Sequence, residues 1–221
     1  MVIVRNRLAA LLSRLFFLGG LTAIFVLYFL EMSPAWRAFC FLEVQAGAAY
    51  LGFLFFEVIF NIIDMRHGVH GIAAGWKSPL MLLLTGYCFI ASILYFSYIM
   101  PVHGYLTLRS VLYHVLLILI PLLNWLLFEI KGAVRYFFSF ISILYPLLYV
   151  IISIFRAVIF PNDPLYTPDV MYIYHFFNPS EFSFRWAIWV SFAIVIAFFF
   201  LLITFDNLLS KKWKKNLVDL N

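Results

Sequence analysis

Charge is scarce in this chain: Asp, Glu, Lys and Arg make up 11% of its 221 residues, against 66% hydrophobic residues. A soluble domain of this length has no interior large enough to hide so much apolar surface. A water-soluble fold is therefore excluded, and lipid becomes the solvent these side chains require. Cysteine is scarcer still. Cys40 and Cys88 are too few for a disulfide framework, and they are expected at different membrane depths as two free thiols. The Gly-x-Ser-x-Gly elbow, the His-Glu-x-x-His zinc motif, the phosphate loop and the dinucleotide fingerprint are all missing, which removes several familiar enzyme classes. Mirrored halves and paired broken helices are missing too, which argues against a secondary transporter.

What is present is a series of long apolar runs and a mean hydropathy of +1.03. The runs predict an all-α membrane domain, a bundle of six transmembrane helices filling residues 1–221. The spans fall at about 12–31, 38–63, 79–100, 110–129, 136–160 and 186–206, each near the roughly 20 residues that cross a bilayer. The first can extend back past Arg14, whose long side chain is expected to snorkel to the headgroups. The basic start, the apolar run and Ser33-Pro34-Ala35 have the outline of a signal peptide, but with the chain beginning at Met1 we expect the segment to remain as the first span.

Eleven of the fifteen basic residues fall on the side that holds both termini: Arg5, Arg7, Arg14, Arg66, Lys77, Lys131, Arg135, Lys211, Lys212, Lys214 and Lys215. The bias predicts cytoplasmic termini. It also accounts for most of the net charge of +5, so no nucleic-acid partner is expected. The longest loop, Pro161 to Arg185, is long enough to fold over the outer face as a lid, although an ordinary solvated connector has the same appearance. His67 and His70 have a metal-like spacing in a Gly-rich segment without fixed geometry, and no metal or cofactor is expected. Ala48 and Gly52 share one face of the second span and are expected to admit a neighbouring helix.

Ionisable residues inside the apolar runs carry the functional signal, because burying them in hydrocarbon is costly unless they are partnered. Counted from the outer surface, Glu43 in the second span, His114 in the fourth and Arg156 in the fifth all lie roughly 6 to 8 Å deep at about 1.5 Å per residue. An acid, a base and a permanent cation can thus meet at one level. Gln45, Tyr113 and Tyr149 are candidates for the surrounding substrate-binding network. The plainer alternative is an internal Glu43–Arg156 pair that fixes packing, or an Arg156 that snorkels outward. Glu57, nearer the cytoplasmic end with Asn61 one turn on, is expected to be structural. Pro121 and Pro146 interrupt the fourth and fifth runs and can kink them.

Several landmarks occur in order: His114 ten residues ahead of Asn124-Trp125-Leu126-Leu127, then Tyr145-Pro146-Leu147-Leu148-Tyr149, Arg156-Ala157 and Tyr174-His175-Phe176-Phe177-Asn178-Pro179. Their order and spacing resemble the bacterial six-span branch of the androgen-induced gene 1 and FAR-17a family. The resemblance implies an integral protein of a bacterial inner membrane. Animal members hydrolyse fatty-acid esters of hydroxy fatty acids with a Thr nucleophile and a His, and His114 matches that His. Where the Thr is expected, this chain reads Leu42-Glu43-Val44-Gln45-Ala46-Gly47, and no Ser or Thr occurs between Ala38 and Ser78. A threonyl acyl-enzyme is therefore ruled out in this span.

Three routes to ester cleavage stay open. The simplest has His114 and Glu43 activate a water while Arg156 stabilises the oxyanion or holds a lipid carboxylate. A Glu43 nucleophile forming an anhydride is the second, and a Glu–His metal site without a visible third ligand is the third. Beside hydrolysis of a lipid acyl ester stands a non-catalytic role, as a lipid-binding protein or a structural subunit of a membrane complex.

Overall fold

Backbone N–H and C=O groups in hydrocarbon must be satisfied without water, which leaves helices or closed barrels as the spanning structures. In a computed structural model, which describes residues 6–31, 35–68, 78–103, 107–160, 174, 178–180 and 183–218, the chain takes the helical course, and no strand occurs among the described residues. Six helices are long and apolar enough to cross a membrane. Among the described residues these spans are Arg7–Glu31, Leu42–Arg66, Ser78–Ile99, Leu108–Phe128, Phe138–Ile159 and Phe184–Lys211. Their main helices are α1 (Arg7–Glu31), α2 (Leu42–Arg66), α3 (Ser78–Leu94), α4 (Leu108–Phe128), α5 (Leu144–Ile159) and α6 (Phe184–Val218). The protein is an all-α, multi-pass membrane bundle, as the apolar runs predict.

The helices divide into an inner and an outer set. α2, α3 and α4 are the most enclosed, whereas α1, α5 and α6 leave most of their apolar surface for lipid. α3 packs on α2 and α4, and α1 closes the group by packing on the same two helices. α6 leans on α3 where Gly86 leaves room for the Phe199 ring, which a Cβ would strike. Trp186 and Trp189 stand exposed at the start of α6, where amphipathic rings suit a headgroup boundary.

Local chemistry explains the ends and breaks. α4 begins with a capping box: Thr107 Oγ1 accepts from the Ser110 N–H and Ser110 Oγ accepts from the Thr107 N–H, both at 3.1 Å. α2 follows a short 3-10 turn, Ala35–Cys40, that Gln45 ties down by donating to the Phe39 carbonyl at 2.6 Å. Pro121 lies inside α4 without ending it. Pro146 sits in the first turn of α5, where a missing N–H matters least. Even so, it leaves the Ser142 carbonyl without its i+4 donor, and the Tyr87 hydroxyl of α3 supplies one at 3.1 Å.

The small-residue face works at a different position from the one expected. Gly52 is exposed with open space around it, while Gly47 is the contact: a Cβ there would collide with the Tyr113 hydroxyl of α4. Cys40 and Cys88 are not joined in a disulfide, as anticipated. His70 and most of the loop between α5 and α6 lie outside the described residues, and with them the expectations of a His-x-x-His site and of a lid.

Candidate functional site

Because successive helices run in opposite directions, the start of α2 and of α4 meets the end of α1 and of α3. The polar residues there form an outer cluster, outer meaning the end of the bundle away from the start of α1. Glu43, in the first turn of α2, and His114, in the second turn of α4, are both 0% exposed. The Tyr28 hydroxyl of α1 donates to Glu43 Oε1 at 3.4 Å. The Tyr28 ring stacks on Tyr113 with centroids 4.5 Å apart and meets the edge of His114 at 5.4 Å. Tyr113 donates to the Glu43 backbone carbonyl at 2.8 Å, the short reach that Gly47 permits. An aromatic pair thus joins the carboxyl to the imidazole.

His114 Nδ1 lies 2.7 Å from the Ser110 carbonyl oxygen. A carbonyl only accepts, so Nδ1 carries hydrogen, and in a neutral ring Nε2 then holds the lone pair. Nε2 and Glu43 Oε2 are both buried without a hydrogen-bond partner among the described residues. Such atoms usually mark a bound water or a binding role.

The other expected members fall elsewhere. Arg156 is half-buried on α5 and has contacts of its own, but it makes no hydrogen bond or ion pair with Glu43 or His114. Gln45 and Tyr149 brace the turn before α2: Tyr145 donates to Gln45 Oε1 at 3.2 Å and Tyr149 to the Cys40 carbonyl at 2.9 Å. Tyr174 is buried with its ring 5.8 Å from Tyr98 and 6.0 Å from Tyr149. No group of three metal-ligating side chains occurs among the described residues.

A second polar cluster lies at the opposite end, and it corrects the reading of Arg14. That side chain does not snorkel; it is 1% exposed. Its Nη2 pairs with Glu57 Oε2 at 2.7 Å and with Glu129 Oε1 at 3.1 Å, while Nε donates to Asn124 Oδ1 at 3.1 Å. Asn124 in turn donates to the Tyr50 hydroxyl at 3.2 Å, and Ser78 donates to Glu129 Oε2 at 2.9 Å. Glu57, expected to be structural with a reach to the interface, is instead buried in an ion triad joining α1, α2 and the end of α4. Arg7–Asp64 at 2.5 Å extends the same α1–α2 seam towards the surface.

Beyond Glu129, Lys131 lies with its ammonium 4.3 Å from the Trp125 ring centroid and donates to the Trp125 and Glu129 carbonyls. Gly132, at φ 75°, donates to Asp206 Oδ2 of α6 at 2.7 Å. No family model, curated protein or solved structure matches this chain.

Proposed function

We propose that the outer cluster is a site for a lipid acyl ester, with His114 as general base towards a water or hydroxyl and Glu43 as its partner. The observation that carries this reading is that Glu43 Oε2 and His114 Nε2 are buried without a hydrogen-bond partner among the described residues, on two side chains that both touch Tyr28, while His114 Nδ1 is taken up by the Ser110 carbonyl. A water or alcohol bound at Nε2 would donate to it, as general-base catalysis requires. Arg156 stands outside that enclosure on this reading, and its role is to hold a lipid carboxylate or headgroup at the outer rim. The likeness to the androgen-induced gene 1 and FAR-17a family supports the same substrate class, with Glu43 in place of the family's Thr. The setting we propose is a bacterial inner membrane with both termini cytoplasmic, in line with the basic bias.

A second reading has its own observation. Glu43 and His114 are fully enclosed, as expected of a packing cluster in a non-catalytic lipid-binding protein or a subunit of a membrane complex. The discriminating experiment presents purified protein in nanodiscs with a panel of long-chain acyl esters and follows release of free fatty acid. Release above a protein-free control supports the ester site. Its absence across the panel favours the second reading.

A further inference from the structure

The imidazole of His114 is clamped as well as buried. Tyr95 lies flat on it, with ring centroids 3.5 Å apart and planes 8° from parallel. The edges of Tyr113, Tyr28 and Phe96 close the remaining sides at 5.0, 5.4 and 5.9 Å. Tyr95 is itself anchored, its hydroxyl donating to Ser110 Oγ at 2.7 Å, and the Ser110 carbonyl receives the His114 Nδ1–H. Tyr95 also opens a single π turn, Tyr95–Ile99, in an otherwise α-helical span. Such turns give up regular hydrogen-bond geometry and recur at functional sites.

We infer that Tyr95 and Ser110 are positioning residues that fix His114 as the Nδ1–H tautomer and keep Nε2 as its basic atom. Turning the ring over about its Cβ–Cγ bond would break the bond to Ser110 and sweep the imidazole through the enclosing rings. The stack therefore protects a tautomer that the backbone carbonyl selects. That this tautomer serves a base rests on the ester-site reading; the tautomer itself is measurable without any substrate.

The test is the nitrogen NMR spectrum of the full-length protein with labelled histidine in nanodiscs, His114 being assigned by its loss in His114→Ala. The expected wild-type spectrum has a pyrrole-type Nδ1 and a pyridine-type Nε2 as a single form. Tyr95→Phe, which keeps the stacked ring, should preserve that form. Tyr95→Met, which fills the space with a flexible chain, should give a mixture of tautomers. A wild-type proton on Nε2 would overturn the inference, as would a mixture in Tyr95→Phe or an unchanged single form in a folded Tyr95→Met. An intact tautomer with no ester cleavage would remove the proposed reaction and leave this inference standing. Cleavage with a mixed wild-type tautomer would do the reverse.

Discussion

Arg14 shows most clearly what a single side chain does here. Its guanidinium reaches Glu57, Glu129 and Asn124 at once, a geometry that a lysine ammonium cannot reproduce. Arg14→Ala would strand two carboxylates in the bundle and should destabilise it by about 3–5 kcal/mol, whereas replacing the whole triad by apolar residues of similar volume should cost far less. Chemical unfolding in detergent, comparing the single variant with Arg14→Met/Glu57→Leu/Glu129→Leu, measures the difference. At the other end, Gly47→Ala would push the Tyr113 hydroxyl off the Glu43 carbonyl, and overpacking of this kind costs about 1–3 kcal/mol. Tyr113→Phe loses only the hydrogen bond, worth about 0.6 kcal/mol between membrane helices, so the same unfolding assay should rank the two variants in that order.

Two groups just beyond the end of α4 give stability a pH dependence. Burial, with the Glu57 carboxylate beside it, raises Glu129 above the usual carboxylate range; burial pushes Lys131 down to about 8. A carboxyl with a raised folded-state pKa contributes most below its unfolded value of about 4.3 and loses that contribution as pH rises through the folded value. A lysine with a depressed pKa contributes above its unfolded value of about 10.4 and loses that contribution as pH falls through the folded one. The melting temperature in detergent should therefore fall from mildly acidic to neutral pH and recover in alkali. Glu129→Gln should flatten the acid limb, and Lys131→Met the alkaline one. Limbs unchanged by these substitutions would assign the titration to other groups.

Several tyrosines join elements by donating to a neighbouring backbone, Tyr113 to Glu43, Tyr149 to Cys40 and Tyr87 to Ser142. Pro146 withholds an N–H from the Ser142 carbonyl and Tyr87 donates in its stead, which predicts a specific coupling. Tyr87→Phe should cost about 1 kcal/mol in the natural chain and clearly less beside Pro146→Ala, where the restored amide serves Ser142. Equal costs in the two backgrounds would sink that explanation. The six spans themselves were legible because their length and apolarity are set by the bilayer, and Glu43 and His114, singled out together as intramembrane ionisable residues, do share contact with Tyr28. What the sequence could not show was facing. A helix apolar around its whole circumference carries no stripe to say which side meets protein, so the partners of Arg156, Gln45 and Tyr149 were open until the fold was in view. The Arg14–Glu57 pair was within reach of the same depth argument, applied to the inner half of α1 and α2.

On the scale of the whole molecule, two buried polar layers face opposite ends of one bundle. Along α4, His114 and Asn124 are ten residues apart, about 15 Å at the helical rise, with Leu117, Ile120 and Pro121 buried between them. The layer around Arg14 is built on multiply paired charges that join α1, α2 and the end of α4, although Asn61 Nδ2 and Asp206 Oδ1 near it have no hydrogen-bond partner among the described residues. The outer one leaves Glu43 Oε2 and His114 Nε2 unpartnered among the described residues, on an acid and a base that share contact with Tyr28, and the proposed chemistry rests on that pairing. The basic bias predicts the orientation: terminal tags should be protected from protease in intact spheroplasts and cleaved in inverted vesicles, and the opposite pattern would turn the outer cluster towards the cytoplasm.

The measurement that bears most directly on the central claim is the rate of fatty-acid release from a long-chain acyl ester by wild type, His114→Ala and Glu43→Gln in nanodiscs. General-base catalysis by His114 predicts a loss of about 10²-fold or more in His114→Ala. Glu43→Gln should lower the rate by less, with both variants folded. Release that is equal in all three proteins would contradict the claim and leave the outer cluster as packing.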